Sequence, residues 1–159
     1  MFTDWKPQDN EVFRFLHTTY DVDKAKVLLA KNPRESSELV VATCKQFIGG
    51  VPPRGENPKA LPLLSVHIEW EKVWRMVDNP PEEEVPVILS HYGEYILPID
   101  GWHRIAKAMA MGMQTVPAVI LELNETRKIA TGLPRGTLPK SKKRALSVDR
   151  PHLSTVAWV

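Results

Sequence analysis

An acid, a glycine, a histidine and an arginine lie close together where a strand-like run gives way to a helix-like run, in the string Asp100-Gly101-Trp102-His103-Arg104. The first N–H groups of a helix have no intrahelical acceptor, and the helix dipole places partial positive charge there. Gly101 allows a sharp turn and the close approach of a phosphate. Arg104 can present a two-pronged donor to phosphate oxygens. The string therefore predicts a phosphate-binding site.

The side chains of this string add further chemistry, and each of them also has a purely structural interpretation. His103 titrates near neutral pH and suits proton transfer or a further phosphate contact, or it faces the core. Asp100 can hold a magnesium ion or orient a nucleophile, or it caps the helix. Trp102 stacks on a nucleotide base or packs on the sheet. Arg104, in the structural interpretation, is a solvated surface arginine.

The elements around the string predict a small α+β domain. The pattern indicates a strand over 61–68, a helix over 69–81, two strands within 84–99 joined by a turn near Tyr92-Gly93, a helix over 101–113 and a strand over 115–123. The order is β-α-β-β-α-β. The predicted fold class is therefore α/β (α+β), a small mixed β-sheet with helices on it.

The predicted domain organisation has three segments, which are an N-terminal helical extension over 1–60, the core over 61–124 and a basic C-terminal tail over 125–159. In the extension we expect one helix over 21–33, with Asp21 as N-cap, and a second over 33–50. Trp70 and Trp74 share a helix face and are expected in the core or an interface. We expect His91 to be exposed at the hairpin turn, and Cys44 to be a small buried residue.

The charge is divided unevenly along the chain. Residues 127–150 contain eight basic residues and one acid, so this window carries +7 and the remainder −5, for a total of +2. Such a tail is either a solubilising extension or a contact for nucleic-acid phosphates with little sequence preference. The candidate nucleic-acid-binding residues are Lys140, Lys142, Lys143 and Arg144.

The single cysteine excludes an internal disulfide and a zinc site built from several cysteines. The first residues lack the basic and apolar regions of a signal peptide. No apolar run approaches the roughly 20 residues that span a bilayer. These features predict a cytoplasmic protein with no membrane span.

The segment around the string resembles the ParB/sulfiredoxin-like superfamily, whose members have a hydrophobic strand ending in a DGxHR-type motif, an Ala-rich helix, a glycine and a "VPA"-like strand. The resemblance covers roughly residues 61–123. The matching residues are Ile99-Asp100-Gly101-Trp102-His103-Arg104, Ala106, Ala108, Gly112 and Val116-Pro117-Ala118-Val119. It implies that nucleotide phosphates bind at the helix N-terminus. Some members are described as DNA nucleases or ATPases, including plasmid proteins that inhibit conjugative transfer.

The resemblance also limits the reaction and suggests further site residues. Sulfiredoxins have a catalytic cysteine where this chain has Trp102, so sulfiredoxin chemistry is not expected. Partition-protein function is not expected either, because the chain ends before a helix-turn-helix domain could fit. In the family fold the first strand and the start of its helix lie near the nucleotide loop, which makes His67, Glu69 and Glu71 candidates. Glu69 is the preferred general base or magnesium ligand, with a first-turn acid as its structural alternative.

The expected function is therefore that of a nucleotide-phosphate-binding enzyme, which hydrolyses nucleotide like an ATPase or cleaves DNA, with a plasmid or conjugation context as one setting. Gly101, Trp102, His103 and Arg104 would bind ATP or another nucleotide. Asp100, His103 and Glu69 would be catalytic, and Asp100 would hold Mg²⁺. The alternatives are a non-catalytic inhibitor of a protein partner such as plasmid-transfer machinery, and a small-molecule kinase.

Overall fold

The computed structural model describes residues 11–56 and 66–137, and this part of the chain is an α+β fold, as predicted. The smaller of two sheets consists of β1 (Val12–Phe15), β2 (Thr18–Asp21) and β7 (Ala130–Thr131). It is antiparallel and has the strand order β1-β2-β7. The larger sheet consists of β3 (Ser37–Val40), β4 (Val87–Tyr92), β5 (Tyr95–Asp100) and β6 (Thr115–Ile120). Its strand order is β3-β6-β4-β5.

Five α-helices accompany the two sheets in the described residues. They are α1 (Val22–Lys31), α2 (Lys45–Ile48), α3 (Trp70–Asp78), α4 (Trp102–Ala110) and α5 (Leu123–Ile129). The predicted N-cap of α1 is confirmed, because the Asp21 side chain accepts a hydrogen bond from the Lys24 amide over 3.0 Å. Within the described ranges, none of these helices has the length and apolar character needed to cross a membrane.

The predicted hairpin, helix and exit strand are confirmed, and together they position the Asp100–Arg104 string. β4 pairs antiparallel with β5, and β6 pairs parallel with β4. Parallel neighbours need a crossover connection, which here consists of β5 and α4. Because β5 runs antiparallel to β4, its last residue, Asp100, lies opposite Ile88 at the end of the sheet where β4 begins. The turn into α4 starts at that end.

The helix predicted over 33–50 is wrong in its first half. Residues 37–40 form β3 instead, which pairs antiparallel with β6 from Ser37↔Ala118 to Val40↔Thr115. Leu39 is fully buried in this arrangement. The β-branched Val40 follows it in the strand, and such residues favour the pleated conformation. The part that remains helical is the short α2, preceded by a 3₁₀ turn over Val41–Cys44.

The strand predicted over 61–68 is not present in its described part, because residues 66–69 belong to no strand. Residues 61–65 lie outside the described residues. The larger sheet contains β3, which precedes residue 60, together with β4, β5 and β6, which follow it. The smaller sheet likewise joins β1 and β2 to β7, which follows residue 124. The predicted N-terminal extension therefore contains strands as well as helices.

The core contains side chains from every described part of the chain. Trp70 and Cys44 are buried, as expected, and Trp74 packs against Trp70 with ring centroids 6.3 Å apart. The expectation that His91 is exposed is wrong, since only 2% of it is accessible. Its carbonyl accepts a hydrogen bond from the Tyr20 hydroxyl over 2.8 Å, because the smaller sheet covers this end of β4.

Candidate functional site

The turn from β5 into α4 requires a glycine. Gly101 is the N-cap of α4 and has φ +103°, a left-handed conformation that side chains disfavour. A Cβ at this position would lie 2.8 Å from Nη2 of Arg104 and 2.9 Å from Cγ2 of Val87. The group that needs the space is therefore the folded-back guanidinium of Arg104. The Gly101 carbonyl accepts the first intrahelical bond, from Ile105.

Arg104 is tied to the end of the sheet and is not a solvated surface residue. Its Nη2 donates to Asp100 Oδ2 and to the Pro86 carbonyl, each over 3.2 Å. The side chains of Arg104 and Asp100 are 23% and 13% exposed. The Nε–H of Arg104 is buried and finds no hydrogen-bond partner among the described residues. Asp100 thus orients the arginine. It is not the N-cap of α4, one of its predicted alternatives, because Gly101 occupies that position.

His103 is held in one protonation state by a backbone contact. Its Nε2 lies 3.1 Å from the backbone nitrogen of Glu69, which donates a hydrogen bond to it. A backbone amide can only donate, so Nε2 must be an unprotonated acceptor and the ring hydrogen is on Nδ1. Burial lowers the pKa of His103, and nearby Lys72 lowers it further. The ring is therefore neutral at pH 7 and only partly buried.

The same hydrogen bond brings two helix N-termini together. Glu69 is the N-cap residue of α3, and His103 is the second residue of α4. The Glu69 side chain is exposed and makes no capping hydrogen bond, while Glu71 is the acid of the first turn. Lys72 lies in that turn and acts electrostatically on His103, as does Arg104. Sequence reasoning missed Lys72, for which only its position in the first turn of α3 was a signal.

Trp102 packs in the core, which was the structural alternative to stacking on a nucleotide base. The residue is 5% exposed, and its indole Nε1 donates to the Pro98 carbonyl over 3.0 Å. Its ring stacks on Phe13 with centroids 6.3 Å apart, and the Phe47 ring lies at 5.8 Å. The predicted stacking of Trp102 on a nucleotide base does not fit this structure, because other aromatic rings already cover it.

The two remaining predictions about the site concern metal and nucleic acid. No three His, Cys, Asp or Glu side chains in the described parts of the chain come together in a way that could hold a metal ion. The nearest charged partner of Asp100 is the cation Arg104. Within the described ranges Asp100 belongs to no such group, so Mg²⁺ held there would need further oxygens from phosphates and water. The candidate nucleic-acid-binding residues of the tail all lie outside the described residues, namely Lys140, Lys142, Lys143 and Arg144.

Comparison with known proteins gives no further identification, since no family model, no curated protein and no solved structure matches this chain. The resemblance to the ParB/sulfiredoxin-like superfamily therefore depends on the residues of the Asp100–Arg104 string and on the helix and strand that follow it.

Proposed function

We propose that this domain binds the phosphates of a nucleotide at the adjoining N-termini of α3 and α4, and that it hydrolyses the phosphate ester held there. The observation that carries the proposal is the 3.1 Å hydrogen bond from the Glu69 amide to His103 Nε2, which places the two helix starts side by side. Lys72 and Arg104 add formal positive charge at the same place.

The electrostatics of this arrangement favour an anion. Each helix N-terminus is equivalent to roughly half a positive charge, and two such ends side by side repel one another. Burial, followed by Lys72, lowers the pKa of His103; the Glu69 carboxylate opposes this effect, and His67 and Arg104 act in the same direction as Lys72. A phosphate group would offset the repulsion and compensate these cations. It would also satisfy the buried Nε–H of Arg104, which has no protein acceptor in the described residues.

The groups available for hydrolysis lie in the same turn. His103 is a neutral imidazole and is suited to accept a proton once its bond to the Glu69 amide is released. Asp100 would position the attacking water or a nucleotide-bound Mg²⁺ after Arg104 has turned from it to phosphate. The exposed Glu69 carboxylate is the alternative base. Bound Mg²⁺ would supply charge neutralisation of the phosphates.

A second candidate function is binding without turnover, as in an inhibitor of a protein partner. One observation favours it: both proposed catalytic groups are already engaged with protein atoms, Asp100 with Arg104 and His103 with the Glu69 amide. With His103 as the base, hydrolysis requires both contacts to open, whereas phosphate binding by itself requires only that Arg104 leave Asp100 for the phosphate. The two functions therefore differ in what they demand of His103, and only hydrolysis uses the released Asp100 carboxylate.

The test combines binding and turnover measurements on the full chain. Calorimetry with ATP and CTP, with and without Mg²⁺, should detect binding, which Arg104→Ala should weaken by about 10- to 100-fold because charge-assisted hydrogen bonds are removed. Arg127→Ala is the matched control, because Arg127 is exposed on α5. If Arg104→Ala binds as tightly as the unaltered chain, the proposed site is wrong.

Turnover is measured in parallel as phosphate release and as nicking of plasmid DNA. Asp100→Ala should retain nucleotide binding and lose turnover if the domain is an enzyme. Nucleotide binding without phosphate release, transfer or nicking in the unaltered chain would favour the non-catalytic alternative. Phosphate transfer to an added amino acid or sugar without net hydrolysis would indicate a kinase.

A further inference from the structure

Asp100 shares a cleft with two cations other than Arg104. The cleft has a volume of about 370 Å³ and lies between α1 and the beginning of β4. Asp100 lies opposite Ile88 in the pairing of β4 with β5, and both residues line this cleft. Among the described residues, its other charged lining residues are Lys26 of α1 and Arg34. Each of these two cations is therefore a candidate second partner for the Asp100 carboxylate.

Asp100 needs a second partner once phosphate binds. Its Oδ2 accepts a hydrogen bond from Arg104 Nη2 over 3.2 Å, and its side chain is only 13% exposed. The proposed binding of phosphate turns Arg104 away from this carboxylate. A poorly exposed charge that loses its partner is costly, so phosphate binding works against this cost. A cation that takes the place of Arg104 would lower the cost.

Lys26 can exchange its partner more cheaply than Arg34. Lys26 Nζ lies 2.9 Å from Glu11 Oε1, and these two side chains are 50% and 48% exposed. Exposed ion pairs contribute little, because water replaces most of the interaction. Arg34 instead bonds both carboxylate oxygens of Glu125, and those side chains are 21% and 10% exposed. Lys26 is therefore the cation of this cleft that is suited to move.

The Asp100 carboxylate also acts electrostatically on Lys26. The hydrogen bond to Glu11 raises the pKa of Lys26, burial opposes this effect, and the nearby carboxylates, with Asp100 first among them, raise it further. Asp23 is another of these carboxylates, and it already accepts a hydrogen bond from the Glu11 backbone amide over 3.0 Å. Asp100 is thus the carboxylate near Lys26 that loses its partner when Arg104 turns to phosphate.

We propose that Lys26 is a positioning residue of the phosphate site, which leaves Glu11 and pairs with Asp100 when phosphate draws Arg104 away. This inference rests on the proposed function. The exchange holds the ionised Asp100 at the end of the sheet, where the proposed hydrolysis uses it. A carboxylate has about four acceptor positions, so the pairing leaves room for a water molecule. Glu11 competes with Asp100 for Lys26, and the resting ion pair therefore restrains phosphate binding.

The test breaks the resting ion pair from each side and measures nucleotide binding by calorimetry on the full chain. Lys26→Met removes the cation that would compensate Asp100, so it should weaken the binding of ATP or CTP by about fivefold. Glu11→Gln removes the competitor and should tighten binding by about twofold. A pair that only stabilises the fold would shift both variants in the same direction.

Two controls separate this exchange from a general effect of charge. Lys24→Met removes one positive charge from an exposed residue of α1 that does not line the cleft, and it should leave binding unchanged. Lys26→Met and Glu11→Gln are also made in an Asp100→Asn chain, which should still bind nucleotide. With no charge at position 100 to compensate, neither substitution should change binding there. A long-range effect of charge would persist in that chain.

The outcomes separate the inference from the proposed function. Opposite effects of Lys26→Met and Glu11→Gln that disappear in the Asp100→Asn chain support the exchange. Effects of the same sign, no effect, or effects that persist in that chain overturn it, and the phosphate site stands if Arg104→Ala still weakens binding. If the unaltered chain binds neither ATP nor CTP, the proposed function fails and the inference with it.

Discussion

The backbone amide of Glu69 donates a hydrogen bond to Nε2 of His103, 34 residues further along the chain, over 3.1 Å. This contact links the N-cap of α3 to the first turn of α4. It also requires the histidine to be neutral, because a protonated Nε2 would point a hydrogen at the amide hydrogen. Protonation of His103 would therefore weaken the junction between the two helices.

Stability should consequently decrease in mild acid. The folded-state pKa of His103 is lowered by burial and then by Lys72, so as the pH falls the unfolded chain takes up this proton first. The free energy of unfolding should be highest above the ordinary histidine pKa of about 6.5 and should fall as the pH drops through that value toward the lower folded pKa. Urea unfolding between about pH 5 and pH 8 measures this dependence.

The matched variant is His103→Gln, which keeps an acceptor for the Glu69 amide and cannot titrate. It should show a shallower decrease of stability in acid than the unaltered chain. Some pH dependence of the stability should remain in this variant, because burial also lowers the pKa of His91. An identical pH profile for the variant would contradict the prediction.

Replacement of Gly101 should be costly for two separate reasons. Gly101→Ala adds a Cβ 2.8 Å from Arg104 Nη2 and 2.9 Å from Cγ2 of the buried Val87, in a backbone with φ +103°. It should destabilise the fold by about 3 kcal/mol through strain and overpacking. Gly112→Ala separates the two effects, since Gly112 has φ +73° and open space around it. It should cost about 1 kcal/mol, from the backbone alone. Thermal or urea unfolding compares the two, and equal costs would contradict the steric argument.

The elements that sequence reasoning predicted correctly are those specified by local signals. In the β4–β5 hairpin, apolar and β-branched runs surround Gly93, which has φ +62° in the turn. α4 has a helical repeat of apolar residues and ends before Gly112. β3 was missed because Leu39 fits a helix face as well as a strand. Its pairing with β6, almost 80 residues later, selects the strand, and no local pattern reports that pairing.

The sequence predicted which residues form the candidate site, and it did not predict how their side chains are arranged in space. The string correctly located a glycine turn with an arginine in the first helical turn. Trp102 packs inward because Phe13 and Phe47 meet it, and both come from the N-terminal segment assigned to a separate extension. The hydrogen bond between Glu69 and His103 depends on how two helices approach one another. Such an approach follows from tertiary packing, which residue spacing does not encode.

The basic tail should contribute to DNA binding through phosphates. Replacing Lys140, Lys142, Lys143 and Arg144 together by alanine should weaken binding and reduce the dependence of log K on log salt by roughly 3 to 4, because each neutralised phosphate accounts for about 0.9 of that slope. Fluorescence anisotropy of a labelled duplex over a salt series measures this slope. Lys24→Ala/Lys31→Ala, at exposed positions on α1, is the control and should leave the slope unchanged. An unchanged slope in the tail variant would indicate a merely solubilising extension.

Removing one partner of the ion pair between Arg34 and Glu125 should be costly for stability. Two nitrogens of Arg34 lie 2.6 and 2.8 Å from the two carboxylate oxygens, and the side chains are only 21% and 10% exposed. Arg34 also donates to the Ile120 carbonyl over 3.1 Å, which joins the end of β6 to α5. Arg34→Ala should destabilise the fold by about 3 kcal/mol, because Glu125 would remain charged and poorly solvated without its partner.

The control for this prediction is a similar pair in solvent. Arg54 bonds both carboxylate oxygens of Asp78 over 3.0 and 2.8 Å, but both side chains are more than half exposed. Water can replace most of the interaction free energy of this exposed pair. The Arg54 guanidinium also lies 4.5 Å above the Trp74 ring centroid, a cation–π contact that is weak at an exposed site, so Arg54→Ala should still cost less than Arg34→Ala. Urea unfolding at pH 7 compares the two variants. If the two variants lose the same free energy of unfolding, burial does not determine the cost of removing Arg34 from its pair with Glu125.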